Sequence, residues 1–260
     1  MSLYVPQIEN DADVISAAIA YAKAGWYVLP LQAATKRPAL GKGWPSHTSR
    51  DPKQIVEWFA GTNHALGLHV GRSGAIVFDV DDPDVLPEVL SAAFIDAAPP
   101  FQSSRADVPR KGHYVFAQPA GRYLGNSRGE LNTSAWGEVR GANGYIAVAP
   151  SAHAKAETGG RYEWLSGGPV PPLPRNLSRM LPEFTGSNGA ASTDSIQVFF
   201  DTFASSTRES NLVAITNGFA KAAAIGSRHE ALVDHLAWAM REAAMGFFPA
   251  AKAAGELWSL

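Results

Sequence analysis

The sequence predicts an α+β protein: a mixed or antiparallel sheet core followed by a small all-α C-terminal helical module. Three observations carry that expectation. Short apolar runs recur between residues 65 and 165, and a helical pattern interrupts them only at 84–97, so the chain does not alternate strand and helix as a parallel βαβ protein does. Amphipathic helical patterns come early, before those runs. After a small, polar stretch at 185–194 the composition turns Ala-rich with helical spacing and a single proline, Pro249. The expected division is therefore a catalytic-type core over residues 1–183, a linker over 184–194 and a helical module over 195–260.

Element by element, Asn10 or Asp11 is placed to cap a first helix whose Val14, Ile15, Ala18, Ile19 and Ala22 share a face, with Gly25 ending it. Residues 26–31 read as a strand. A loop carrying Lys36, Arg37, Pro38, Lys42 and Trp44 follows. Asp51-Pro52 opens a second helix with proline at the first helical position, and Ile55, Trp58 and Phe59 face inward. Strands are expected at 65–70 and 75–81 around a Gly-Arg-Ser-Gly turn, then a helix at 84–97 that stops before Pro99-Pro100. Further strands are expected at 101–104, 113–117, 135–140, 145–149 and 161–165. In the last part, helices are expected at 211–225 and 229–245 among three or four in all. The chain stops inside an amphipathic pattern, which reads as a piece of a longer polypeptide.

With 260 residues, 46% of them apolar, the chain can bury a sizeable core. It holds no Cys, which excludes disulfides and thiolate metal sites and fits a reducing, cytoplasmic setting. No apolar stretch reaches transmembrane length, so no membrane partner is expected. A formal net charge of −2 excludes a strongly basic nucleic-acid coat. Locally the balance differs: residues 101–141 hold six basic and three acidic side chains, enough surplus to hold a polyanion.

Chemistry concentrates at three places. In Ala75-Ile-Val-Phe-Asp-Val-Asp81 an apolar run leads into Asp79, and period two puts Asp81 on the same face with Val80 on the other. Two carboxylates side by side at the end of a buried strand repel and resist desolvation; a hard divalent cation such as Mg²⁺ or Mn²⁺ relieves both costs. The alternative is a polar strand end solvated in the turn before Pro83. Next, in Lys111-Gly-His-Tyr-Val-Phe116, His113 opens a strand and can donate to a phosphate, act as acid or base, or be structural. Third, Glu138 lies in a strand where a charge needs a partner. Arg140 on the same face is that partner, or Glu138 is a third oxygen ligand and Arg140 answers a phosphate. Ser151 and His153 follow in Pro-Ser-Ala-His, as a turn or as nucleotide-holding groups.

The order of these features resembles the bifunctional primase–polymerase (Prim-Pol) domain of the archaeo-eukaryotic primase superfamily, found in phage and plasmid replication proteins. The resemblance spans residues 17–173 and includes Gly25-Trp-Tyr-Val-Leu-Pro30, Lys36, Pro38, Gly43-Trp44, Trp58 and Tyr162-Glu-Trp164. It implies a cytoplasmic nucleotidyltransferase that works as DNA primase and DNA polymerase. Asp79, Asp81 and Glu138 would hold two Mg²⁺ or Mn²⁺ ions, and zinc is not expected. His113 would contact the phosphates of the incoming nucleotide, with Lys111, Arg140, Ser151 and His153 as further nucleotide contacts. Implied partners are a single-stranded or primed DNA template, NTP or dNTP substrates and a helicase on the C-terminal side. The chain departs from the family pattern at Lys111, where a small hydroxyl residue is usual, at the longer 104–110 loop, and at Glu138, where Asp is usual.

Two other readings stay open. A haloacid-dehalogenase-like phosphatase also runs apolar residues into Asp-x-Asp, but within a parallel α/β sheet. A non-catalytic nucleic-acid or replisome-binding module would leave the acids structural.

Overall fold

The structure is a computed structural model and describes residues 3–33, 35–153, 160–184, 193–225 and 228–260. The chain divides into two compact units, Met1–Thr185 and Gly186–Leu260. Most of the expected 184–194 linker lies outside the described residues; its last two positions already belong to a helix.

The first unit opens with β1 (Tyr4–Val5) and α1 (Val14–Lys23). The cap of α1 is Asp13, whose carboxylate accepts from the Ser16 N–H at 2.9 Å, in place of the expected Asn10 or Asp11. Then come β2 (Tyr27–Leu31), a single helical turn α2 (Trp44–His47), α3 (Pro52–Phe59), β3 (Ala65–His69), β4 (Ala75–Val80) and α4 (Glu88–Ala97). Asp51 caps α3 through the Lys53 N–H, as its Asp-Pro start requires. Five strands follow without an α-helix between them: β5 (Phe101–Arg105), β6 (Gly112–Ala117), β7 (Gly137–Arg140), β8 (Tyr145–Ala147) and β9 (Gly160–Ser166). The unit closes with β10 (Gly168–Pro169), paired with β1, and α5 (Arg175–Met180).

The strands form a three-stranded sheet, β2-β3-β8, and a five-stranded sheet, β7-β4-β6-β5-β9, in which all pairings are antiparallel. The sheet is therefore not the parallel one the phosphatase reading needs. Although β3 and β4 are consecutive, they lie in different sheets, and the Gly71–Gly74 turn carries the chain from one to the other.

Period two along β4 separates two cores. Ile76, Phe78 and Val80 join Tyr114, Phe116, Val139 and Trp136, packed with Leu90 and Ala93 of α4 and Leu177 of α5. Ala75 and Val77 join Val115, Tyr162 and Trp164 with the residues of the smaller sheet and α1. Asp79 falls on the second of these faces.

The second unit holds α6 (Thr193–Thr202), α7 (Glu209–Ile225), α8 (Arg228–Ala244) and α9 (Ala250–Ser259). Leu212, Ile215 and Phe219, at helical spacing on α7, meet Ala239 and Ala243 of α8, Phe248, and Ala253 and Leu257 of α9 in a core of their own. Phe247 O accepts from both the Thr207 and Arg208 N–H groups, and Lys252 reaches Glu209 at 3.2 Å. Among the described residues no helix is long and apolar enough to cross a membrane.

Candidate active site

The register of the five-stranded sheet builds a polar row. Asp79 on β4 is the direct partner of His113 on β6 and of Glu138 on β7, and His113 is the partner of Gln102 on β5. Directly opposed residues point to one face, so residues far apart in sequence stand side by side in the order Glu138, Asp79, His113, Gln102. Asp81 lies one step further along the same side of the chain; its N–H is held by the Trp136 carbonyl at 2.9 Å.

Two glycines make this packing close enough. Gly112 and Gly137 both pair with Val80, at φ of 144° and 148°. A Cβ on Gly137 would overlap the Asp79 carbonyl oxygen, and one on Gly112 the Gln102 carbonyl oxygen.

Each acid meets a cation or a ring nitrogen. His113 Nε2 is 3.3 Å from Asp79 Oδ1, Arg140 Nη2 is 3.5 Å from Asp79 Oδ2, and the same guanidinium is bonded to Glu138. Lys111 Nζ donates to the Asp81 carbonyl oxygen at 2.6 Å and lies 3.3 Å from Asp81 Oδ1. Burial by itself would raise the Asp79 carboxyl. The electrostatic contact and hydrogen bond with the His113 ring, then those with Arg140, outweigh it and hold the carboxyl down at about 2. Asp79 is therefore an anion at any physiological pH.

Behind the row, Tyr162 stacks on the His113 ring, with centroids 6.2 Å apart and planes at 19°. On its other contacts, the His153 ring lies 4.9 Å away and the Lys36 ammonium 5.1 Å from the ring centroid. Lys36 Nζ and His153 Nε2 are 3.3 Å apart. Lys36 takes a left-handed backbone, φ 57°, rare for a side chain of this size and common where a loop aims a functional group. Burial, reinforced by the nearby Asp79 charge, pushes the Tyr162 hydroxyl up, so it stays protonated.

Of the sequence-derived residues, Asp79, Glu138, His113 and Arg140 come together in one row, with Asp81 and Lys111 at its end and His153 reached through Tyr162. Ser151 is buried, and its hydroxyl is committed to the backbone: it accepts from Leu66 N–H at 2.7 Å and donates to Leu66 O at 3.3 Å. Lys36, Tyr162 and Gln102 were not among the expected site residues. What marks Gln102 is its full burial in a strand, which only the fold shows. The basic surplus of 101–141 is largely consumed within the protein: Arg105 pairs with Asp107, Arg110 with Asp84, Lys111 with Asp81, Arg122 with Glu183 and Arg140 with Glu138, while Arg128 donates to Ser134 O.

The donor set suits a hard divalent cation. It consists of carboxylate oxygens only: Asp79 and Glu138 are directly opposed across β4 and β7, and Asp81 follows just past the end of β4. Among the described residues no three His, Asp or Glu groups are already drawn together as a metal cage. Arg140 and Lys111 supply the positive charge instead, and Arg140 Nε, buried without a hydrogen-bond partner, marks a guanidinium not fully satisfied where it stands.

The family model for the Prim-Pol, bifunctional DNA primase/polymerase, N-terminal domain matches residues 18–176 of the chain. No curated protein matches it.

Proposed function

Since the chain belongs to the bifunctional DNA primase/polymerase (Prim-Pol) family, it is of a nucleotidyltransferase type that takes a DNA template and nucleotide substrates, and we propose that the row on β4, β6 and β7 is its active site. The reaction is template-directed nucleotidyl transfer: a 3′-hydroxyl attacks the α-phosphate of a nucleoside triphosphate and pyrophosphate leaves. The proposed setting is phage or plasmid DNA replication.

The observation that carries this reading is the direct opposition of Asp79 to both Glu138 and His113, with Asp81 two residues on, just past the end of β4. Asp79, Asp81 and Glu138 would hold Mg²⁺ or Mn²⁺, two ions in the active complex. Such ions, when bound, ease deprotonation of the 3′-hydroxyl and neutralise charge on the leaving phosphate. The chain's own groups bind and orient. His113 presents a ring nitrogen toward the acids, where a phosphate oxygen can take its hydrogen bond. Arg140 and Lys111, released from their carboxylates, offer charge-assisted hydrogen bonds to the triphosphate. Lys36 and His153, held beside Tyr162, extend that wall with one more ammonium and an imidazole. Ser151 would act from behind, by fixing the turn that carries His153.

The test is synthesis by the purified protein with Mn²⁺ or Mg²⁺ on a primed template and on unprimed single strands. Asp79→Ala and Glu138→Ala are each expected to lower synthesis by about three orders of magnitude while the thermal melt keeps the wild-type profile. Synthesis within a few-fold of wild type in either variant removes the row from the active site. No synthesis by the wild-type protein in either metal rejects the activity itself.

A further inference from the structure

We propose that Gln102 is a positioning residue for nucleotide binding, because it dictates which nitrogen of His113 carries the proton. The inference rests on the reading that His113 meets the triphosphate.

Gln102 is 0% exposed, and its amide has a forced orientation. Its Oε1 accepts from the Ala149 N–H at 3.0 Å, and its Nε2 donates to the Ala147 carbonyl at 3.0 Å. A backbone N–H can only donate and a carbonyl can only accept, so the amide cannot be turned over without placing two donors and two acceptors face to face. Nε2 has one proton left, and it points at His113 Nδ1, 2.8 Å away. Nδ1 therefore accepts, and the single proton of the neutral ring sits on Nε2. That nitrogen faces Asp79 Oδ1 at 3.3 Å. The ring has little room to choose otherwise: it is 5% exposed and lies under Tyr162.

The consequence is preorganisation. His113 offers a fixed N–H donor to the acid row and to any phosphate oxygen that enters it, with no search between tautomers at the moment of binding. Gln102 draws that rigidity from Ala147 and Ala149, at the end of β8, so a residue of the smaller sheet region sets the chemistry of the larger one. A hydrogen-bonding residue behind a histidine commonly tunes it in this way in metal sites; here the tuning is of a phosphate donor.

The experiment uses the whole chain with ¹⁵N-labelled histidine. The His113 signals are identified by their loss in His113→Ala, and nucleotide kinetics are measured in parallel. In the wild type, without nucleotide or metal, Nδ1 is expected to be bare and Nε2 protonated. In Gln102→Glu a carboxylate cannot donate, so a proton is expected to appear on Nδ1. In Gln102→Met the ring is expected to lose its single tautomer. Its KM for nucleotide should rise about tenfold, the worth of one ordinary hydrogen bond, with kcat within about twofold. A wild-type ring protonated on Nδ1 overturns the proposal, as does a Gln102→Glu ring indistinguishable from wild type. The wild-type spectrum decides even if a variant fails to fold. If the ring protons behave as expected but His113→Ala binds nucleotide as tightly as wild type, the reading of His113 fails. Gln102 then loses its part in binding, and only the proton assignment stands.

Discussion

Arg140 occupies the position a cation would contest. Its guanidinium is bonded to Glu138 and lies 3.5 Å from Asp79, while its Nε has no partner. A divalent ion approaching these carboxylates must displace it, and the freed guanidinium needs an anion. On the proposed assignment of the site, metal and nucleotide binding would be coupled: each supplies the partner that the other displaces. Arg140→Gln is expected to tighten Mn²⁺ binding in the absence of nucleotide by about tenfold, and to weaken nucleotide binding by a similar factor. Titration calorimetry of the full chain reads both. Mn²⁺ affinity unchanged by the substitution would show that Arg140 is not the competing counter-ion. Lys111, bonded to Asp81, stands in the same relation to the other end of the row. The pairing of Glu138 with Arg140 was legible from two residues one step apart on a strand face. The further reach of Arg140 to Asp79 was not, because it depends on which strand lies beside β7.

At the scale of elements, the site exists because β4 is a central strand with a neighbour on each side. The apolar run from Ala75 to Phe78 buries both faces of the strand and fixes its place. Val80 then anchors the far side, while Gly137 lets β7 approach the end of β4 and Gly112 lets β6 approach β5. Gly137→Ala forces a Cβ onto the Asp79 carbonyl in a backbone conformation side chains avoid. It is expected to destabilise the first unit by about 2–4 kcal/mol, read as a lower denaturant midpoint. A midpoint unchanged from wild type would mean that β7 does not pack this closely on β4. Strand positions were largely readable, since alternation and turn residues are local signals. The expected strands at 101–104, 113–117 and 161–165 correspond to β5 (Phe101–Arg105), β6 (Gly112–Ala117) and β9 (Gly160–Ser166). The sheet order β7-β4-β6-β5-β9 was not, since pairing between distant segments leaves no mark in either one alone.

Over the whole molecule, each unit has its own core: two clusters around the large sheet in the first, and one among α7, α8 and α9 in the second. All the side chains of the proposed site belong to the first unit. A chain ending at Thr185 is therefore expected to melt as a single folded unit and to bind nucleotide within about threefold of the full chain. A shortened chain that does not fold would show that the helices stabilise the core they follow. The helical part could be expected from Ala-rich composition and spacing, but composition names no partner for it. The basic surplus of residues 101–141 also changes meaning at this scale. As a sum of charges it suggested a surface for a polyanion; in the fold its cations are mostly paired with acids or carbonyls close by, and charges neutralised in this way attract a distant phosphate only weakly.

The amino-acid sequence alone determined what repeats locally: the alternation that puts Asp79 and Asp81 on one face, the caps and glycines that bound the elements, and the ordered series of acids and histidine by which the family is known. Only the tertiary structure decided which strand stands beside which, and with it that Glu138 and His113 flank Asp79, that Arg140 and Lys111 occupy the acids, and that a buried glutamine is bonded to the histidine ring. Side-chain direction follows from backbone geometry within one strand, whereas neighbourhood across a sheet is set by the register of segments that the chain itself keeps far apart.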